Sequence, residues 1–337
     1  MKNTRVVITE FGGPEALSIV EDDELPQPAE GEVRVRVLAR CANFTDTMIR
    51  KGMYPGVKEK PPFAPGYDMV GIVDAVGGGT DKALLGRRVA ELTVTGSYSD
   101  YMCLPASRLV PVPEDVDPAE AACLVLSYTT AYQMLHRKAG IGPGGSILVH
   151  GAGGAVGTAL LQLGGIMGLD IYGTASKGKH SAVSGLGANP IDYRAEDFVD
   201  AVRGLRPEGV DAVLDPIGGA HFKRSFRTLA RGGTLVAYGF YDSVQGQGGS
   251  AAGDFLWLSL AGILPNGKST GFYSIAPWRK NHPEWFRDDL ETLFHYLQEG
   301  KIKPVIDSRL PLDEARRAHE RIDAADVLGK IVLTSYE

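Results

Sequence analysis

The chain has 337 residues, enough for two domains, and is 44% hydrophobic and 23% charged, the balance of a soluble globular protein. A formal net charge of −6 disfavours a general nucleic-acid binder and gives no sign of a membrane-surface protein. No apolar run approaches the roughly 20 residues of a transmembrane helix. Met1-Lys-Asn-Thr-Arg passes directly into Val6-Val7-Ile8 without a charged-then-apolar pattern, so a signal segment is not expected. Cys41, Cys103 and Cys123 have no paired spacing, so a cytoplasmic location with reduced thiols is the expectation.

Residues 1 to about 115 read as β-rich. Val33-Arg34-Val35-Arg36-Val37 alternates apolar and basic residues, the period of a half-buried strand. Further strand-like runs stand at 70–73, 88–90 and 98–104, with glycine and proline between them, which suggests a compact barrel-like domain. Asp117-Pro118-Ala119-Glu120 is a helix start: Asp117 caps, Pro118 suits the first helical position and Glu120 the third. The chain then crosses into a second domain.

From residue 146 the pattern is strand, helix, strand. Strands are expected at 147–150, 170–174, 190–192, 210–214 and 234–238, with helices between them that include 179–186 and 220–230. That alternation predicts a parallel sheet with right-handed crossovers. Gly246–Gly253 reads as a mobile loop, 284–298 and 312–322 as helices, and 329–334 as a last strand that returns to the first domain. The second domain is then an insertion: 1–122 with 268–337 around 123–267.

Chemistry centres on Ile147-Leu148-Val149-His150-Gly151 and the following Gly154 and Gly157, which lead into a helix over 158–167. Glycines three apart between a strand and a helix suit any tight α/β connection. They also suit a dinucleotide turn, where the backbone nears a pyrophosphate and the helix N-terminus offers free N–H groups. An NAD site places an acid at the end of the next strand. Here Ala175-Ser176-Lys177-Gly178-Lys179-His180 stands instead, a hydroxyl and two lysines that suit the 2′-phosphate of NADPH.

Asn43-Phe-Thr-Asp46, Pro65-Gly-Tyr-Asp-Met-Val-Gly71, Ser127-Tyr-Thr-Thr-Ala-Tyr132, Gly173-Thr-Ala-Ser176, Ile191-Asp-Tyr193 and Asp215-Pro-Ile-Gly-Gly219 resemble the medium-chain dehydrogenase/reductase superfamily over essentially the whole chain. Within it they are similar to the zinc-independent quinone oxidoreductase (zeta-crystallin) branch, near the synaptic vesicle membrane protein group. The resemblance implies an α/β fold: a GroES-like β-rich catalytic domain with an inserted Rossmann domain, and NADPH in the cleft between them. Zinc enzymes of the superfamily carry Cys where this chain has Asn43, and Gly-His-Glu where it has Gly66-Tyr67-Asp68, so no metal ligands are expected.

The resemblance places Asn43 and Tyr54 beside the nicotinamide, Asn43 as a donor to a substrate carbonyl and Tyr54 as a proton donor. Tyr54 equally suits a loop tyrosine that packs before Pro55. Asp46 reads as structural, Tyr67 as packing between domains, and His150 as a packed or phosphate-side residue. For the cofactor, the resemblance assigns Asn43 and Thr130 to the nicotinamide end, and Gly154, Ala155, Val156 and Gly157 to the pyrophosphate. It assigns Thr174, Ser176, Lys179 and Tyr193 to the ribose phosphate side, with Lys177 as a second candidate, and Gly239, Phe240, Tyr241 and Phe272 to the nicotinamide cleft. The implied activity is hydride transfer from NADPH to a quinone or an α,β-unsaturated carbonyl, in a homodimer with no nucleic-acid partner and no membrane span. The alternative is a nucleotide-binding redox sensor or partner module with little turnover.

Overall fold

The computed structural model describes residues 2–244, 250–263, 265 and 267–335. They form two compact units, one of the residues up to Thr129 together with those from His282 on, the other Thr130–Asn281.

The first unit begins with the antiparallel pair β1 (Asn3–Ile8) and β2 (Leu17–Asp22). The long strand β3 (Glu32–Ala42) follows and keeps the expected alternation: Val33, Val35 and Val37 are fully buried. They pack with Met69, Val73, Val89, Leu104 and Leu109 into one apolar cluster. After α1 (Phe44–Arg50) come β4 (Met69–Val76), β5 (Arg88–Glu91), β6 (Tyr101–Pro105) and β7 (Val110–Pro111). Helix α2 (Pro118–Cys123) starts as its sequence dictates. The Asp117 carboxylate accepts from the N–H groups of Ala119 and Glu120, with Pro118 where a missing N–H costs nothing. Leu124–Tyr128 continues as a wider π-helical turn.

The second unit carries α3 (Thr129–Gln133), a π-helical segment Met134–Ala139, then β8 (Ser146–Val149), α4 (Ala155–Ile166), β9 (Asp170–Ala175), α5 (His180–Gly185) and β10 (Asn189–Asp192). It continues with α6 (Phe198–Leu205), β11 (Val210–Asp215), α7 (Ala220–Thr228), β12 (Leu229–Ala237), α8 (Tyr241–Val244), α9 (Ala251–Ile263), β13 (Ser269–Phe272) and α10 (Ile275–Asn281). All its strand pairs are parallel, in the order β10-β9-β8-β11-β12-β13. In chain order that is 3-2-1-4-5-6, the doubly wound dinucleotide-binding arrangement, and the reversal falls between β8 and β11. Leu148, Val213, Leu235 and Ala237 of three adjacent strands share a core with Phe198, Phe222 and Leu258 from the helices.

The chain then returns to the first unit through α11 (Pro283–Gln298), β14 (Ile306–Pro311), α12 (Ala315–Asp323) and β15 (Lys330–Thr334). Strand β15 lies antiparallel to β3, with Ile331 opposite Ala42, and completes the sheet β14-β15-β3-β4-β5-β7, with β6 also on β3. The C-terminal segment thus adds β14 and β15 to the sheet of the first unit.

Some boundaries differ from the sequence reading. Residues 268–281 go with the parallel sheet, because β13 hydrogen-bonds to β12. The helix expected to Ala230 ends at Thr228, where β12 begins. Of the expected loop 246–253, Ala251–Gly253 form the first turn of α9 and Gly246–Gly249 lie outside the described residues. Among the described residues no helix is long and apolar enough to cross a membrane.

Candidate active site and nucleotide site

In the first unit, Asn43 caps α1 from the end of β3, and it is 4% exposed. Its side-chain N–H groups donate to the Cys41 carbonyl (3.1 Å) and to Asp68 Oδ2 (3.1 Å), and its Oδ1 accepts from Lys330 Nζ of β15. Asp68 Oδ1 accepts from the Cys41 N–H at 2.7 Å. Both amide hydrogens of Asn43 therefore have protein partners, which makes it a strut. Lys330 is 4% exposed. Burial works against its charge, but Cys41, Asp68, Cys123 and Asp46 around it outweigh that, and its pKa is raised. Burial likewise raises Asp68, against the pull of Lys330.

Asp46, at the third position of α1, accepts from the Asn43 N–H at 2.8 Å through Oδ2, while its Oδ1 has no hydrogen-bond partner. Burial, with Asp68 close by, pushes its pKa up to about 8. The expected loop-holding role of Asp46 thus takes the form of a backbone bond at a helix start. Tyr54 is half-buried, and its hydroxyl lies 2.5 Å from that of the fully buried Tyr67, the rings edge to face at 5.6 Å. Burial raises the Tyr54 pKa and the bond to Tyr67 lowers it. Tyr67, read from sequence as packing alone, is therefore the hydrogen-bond partner of Tyr54.

In the second unit the glycine turn leaves β8 at the sheet reversal. Gly151 has φ +66°, a left-handed value that other residues adopt only at a cost. A Cβ on Gly157 would lie 2.3 Å from the Gly151 carbonyl oxygen, so only glycine allows α4 to pack this close. Gly154 is the N-cap of α4 and Ala155, Val156 and Gly157 form its first turn, where amides have no carbonyl one turn back to bond. Thr174 does not stand open to a ligand. Its Oγ1 is 3.0 Å from His150 Nδ1 and accepts from the Gly151 N–H at 3.3 Å, which fixes the start of the turn.

Register pairs Ala175 of β9 with Asp192 of β10, so Ser176 and Tyr193 leave the sheet side by side. Ser176 is half-buried and caps the short turn Lys177–Lys179; Lys177 is exposed, Lys179 half-buried and Tyr193 51% exposed. The guanidinium of Arg194 lies 5.6 Å over the Tyr193 ring, a further cation at this edge that the sequence reading did not single out. Thr130 is buried in α3. Beyond β12, Gly239 packs on Pro216, where a Cβ would lie 2.7 Å from its carbonyl oxygen. Phe240 stacks on Phe272 at 5.0 Å, and Phe255 joins both. Tyr241 donates its N–H to the Pro216 carbonyl at 3.0 Å.

Sequence reading also missed a buried polar group at the ends of β8 and β11. Asp215 Oδ2 accepts from Ser225 Oγ (2.6 Å) and lies 2.9 Å from His221 Nδ1, while His150 Nε2 lies 3.1 Å from Ser225 Oγ. Burial lowers the His150 pKa to about 3, so its ring is neutral at ordinary pH; the bond to His221 and its charge hold Asp215 at about 2 against the effect of burial. His150 stands 65 to 75 positions before Asp215, His221 and Ser225, so no local spacing joins it to them.

Two family models match: "Alcohol dehydrogenase GroES-like domain" over residues 29–114 and "Zinc-binding dehydrogenase" over 186–333. The synaptic vesicle membrane protein VAT-1 homolog of Danio rerio is 32% identical over 339 residues, 98% of this chain and 69% of the relative. Rat quinone oxidoreductase is 30% identical over 336 residues, 97% of this chain and 96% of the relative. The chain belongs to the medium-chain dehydrogenase/reductase family. Among solved members, Escherichia coli quinone oxidoreductase complexed with NADPH superposes with a TM-score of 0.88 at 28% identity, covering 98% of this chain and 99% of that one. The human VAT-1 homolog-like protein gives 0.84 at 30% identity, covering 100% and 99%.

One family model carries zinc in its description, so the donors at Asn43 matter. Around it stand an amide, the Asp68 carboxylate, the buried Cys41 and the Lys330 ammonium, which occupies the Asn43 oxygen. A cation held there already, and two buried thiols, Cys41 and Cys123, with no imidazole partner among the described residues, do not fit the N/S ligand sets of catalytic dehydrogenase zinc.

The raised Asp46 pKa has a consequence for stability. Its carboxyl keeps a proton in the folded chain up to about pH 8 and loses it near 3.8 when unfolded, so the folded state binds the extra proton between those values. Stability from this group is full below the lower value and is lost as pH rises through the upper one. Urea unfolding at about pH 5.5 and about pH 8.5 should show a larger loss of stability with pH in wild type than in Asp46→Asn; equal pH dependence in both proteins would assign the loss to other groups.

Proposed function

We propose that the protein is an NADPH-dependent oxidoreductase that reduces a quinone or an α,β-unsaturated carbonyl without zinc. The Tyr54–Tyr67 hydroxyl pair carries the acceptor side, and the Ser176–Lys179 segment beside Tyr193 and Arg194 carries the cofactor side. Relatives and solved neighbours that are quinone oxidoreductases, one in complex with NADPH, support it. NADPH, when bound, supplies the hydride.

The glycine turn and the first-turn amides of Ala155, Val156 and Gly157 suit the pyrophosphate, and the dipole of α4 favours its charge. Ser176, Lys177, Lys179, Tyr193 and Arg194 suit the 2′-phosphate, with no acid at the end of β9 to repel it. Gly239, Phe240, Tyr241, Phe272 and Thr130 belong to the nicotinamide end; Phe240 and Phe272 hold each other in place there and exclude water.

Tyr54 is the acid. When Tyr67 donates to the Tyr54 oxygen, the Tyr54 proton is free for an enone, and the same bond then stabilises the phenolate left behind. Asn43, with its amide hydrogens on Cys41 and Asp68, acts as a positioning residue, and Lys330 supplies the fixed positive charge that a metal supplies elsewhere in the family. A quinone needs little of this, because its reduced form is a stable anion.

Two substitutions test the two halves. Tyr54→Phe should lower enone reduction by roughly 10²–10⁴ and barely change quinone reduction; small, equal effects on both would make Tyr54 a packing residue. The double variant Lys177→Ala, Lys179→Ala should weaken NADPH binding by roughly 10- to 100-fold and leave NADH binding nearly unchanged. Equal loss of both cofactors, or no preference for NADPH in wild type, would contradict the phosphate assignment.

The unit Thr130–Asn281 also offers a surface for a homodimer. Helix α9 exposes Phe255, Leu256, Leu260 and Ile263, the last at 77%, and it packs beside β13, the terminal strand of the parallel sheet. Light scattering should find a dimer in wild type and a monomer in Leu256→Glu, Leu260→Glu; a monomeric wild type, or an unaltered dimer in the variant, would remove this face from consideration.

A further inference from the structure

Strands β8 and β11 are the neighbours at which the parallel sheet reverses, the place where open α/β sheets leave a crevice at their carboxyl ends. His150 follows β8, Asp215 ends β11 and His221 lies in the first turn of α7. One ligand atom from each lies within 4.8 Å of the others, the one such His, Cys or carboxylate grouping among the described residues.

Two imidazoles and a carboxylate are a donor set that first-row divalent ions favour. Bonds of about 2.0–2.2 Å around a tetrahedral ion need donors a little over 3 Å apart. His221 Nδ1 and Asp215 Oδ2 are already 2.9 Å apart, and a ring nitrogen of His150 lies within 4.8 Å, so a shift of at most about 1.5 Å would gather it. The supporting hydrogen bonds are also built. Thr174 Oγ1 stands 3.0 Å from His150 Nδ1, and Ser225 Oγ donates to Asp215 Oδ2 at 2.6 Å. Ligating histidines characteristically hold their second nitrogen on such an oxygen, and that contact sets which nitrogen faces the ion. His150 and Asp215 are buried, but the His221 side chain is 18% exposed and gives an ion a way in. Asp242 of α8 adds a further carboxylate close enough to feel the charge of both His221 and Asp215.

We propose that His150, Asp215 and His221 form a site for one divalent first-row transition ion such as zinc, with a water as the fourth donor and the Ser225 hydroxyl held on Asp215. When the ion enters, the His221 proton that faces Asp215 moves to Nε2, and the His150 proton moves to Nδ1, where Thr174 accepts it. Each ring then turns a lone pair to the ion, and a ring that carries both protons releases one to solvent as the ion binds. The ion ties α7 to the ends of β8 and β11 and, through His150 and Thr174, to the N–H of Gly151. The site does not depend on the cofactor or acceptor assignments.

Cobalt(II) alone, titrated into the chelator-stripped full-length chain, tests the site by calorimetry and visible absorption. The expected result is one cobalt per chain with visible d–d bands, displaced by zinc. His221→Ala removes a partly exposed ligand and also a partner of the buried Asp215, so the metal-free chain should stay folded with a lowered unfolding midpoint, cobalt affinity should fall by roughly 10-fold or more, and cobalt should no longer raise the midpoint. His295→Ala, a surface histidine beside Glu299, should bind cobalt as wild type does. Failure to bind one cobalt per chain, undiminished binding in His221→Ala, or loss of binding in His295→Ala would each overturn the proposal.

Discussion

A lysine ammonium that is 4% exposed must be met by its surroundings, and meeting Lys330 shapes the whole first unit. Lys330 opens β15, the strand that brings the C-terminal segment back onto β3. Its ammonium bonds Asn43 at the end of β3, and Asn43 in turn bonds Asp68 just before β4. Three strands distant in sequence are thus held at one point by a charge that would be costly to bury unpaired. The same point starts α1, through Asp46 on the Asn43 N–H, and α1 leads to the loop that carries Tyr54. The tyrosine pair is then reached by way of a charge network, where zinc members of the family use metal ligands.

The second unit depends on a different constraint, close backbone approach. Gly157 admits the helix, Gly151 turns the chain, and Thr174 bonds the Gly151 N–H from the next strand. That contact links the turn to His150 and onward to Asp215, Ser225 and His221. The turn therefore rests on a buried polar network, and changes at α7 have a physical route to the backbone that faces the proposed pyrophosphate site.

Much of this was legible in the sequence because it is local. The Val33, Val35, Val37 alternation, the Asp117 cap and the glycine spacing each declare themselves within a few residues, and the strand–helix alternation from 146 onward gave the sheet. What was not legible is long-range or depends on direction. The Lys330–Asn43 bond spans 287 positions, and nothing near Lys330 distinguishes it from a surface lysine. Asn43 has the right chemistry for a carbonyl donor, and only its two protein partners reassign it. Tyr67 reads as apolar packing until its hydroxyl is seen against Tyr54, and Arg194 reads as a solvated charge until it lies over Tyr193. The strand β13 is too short and too polar, Ser-Thr-Gly-Phe, to show that it extends the parallel sheet.

In the proposed reaction, hydride leaves NADPH for an electron-poor acceptor in a site that needs no metal. Stopped-flow measurement of NADPH oxidation in a chelating buffer, with a quinone and with an enone, and with cofactor carrying hydrogen or deuterium at C4, tests it most directly. Oxidation should depend on the acceptor, persist in the chelator and slow with deuterium. Bound NADPH that stays reduced with every acceptor, or oxidation that begins only when zinc is restored, would contradict it.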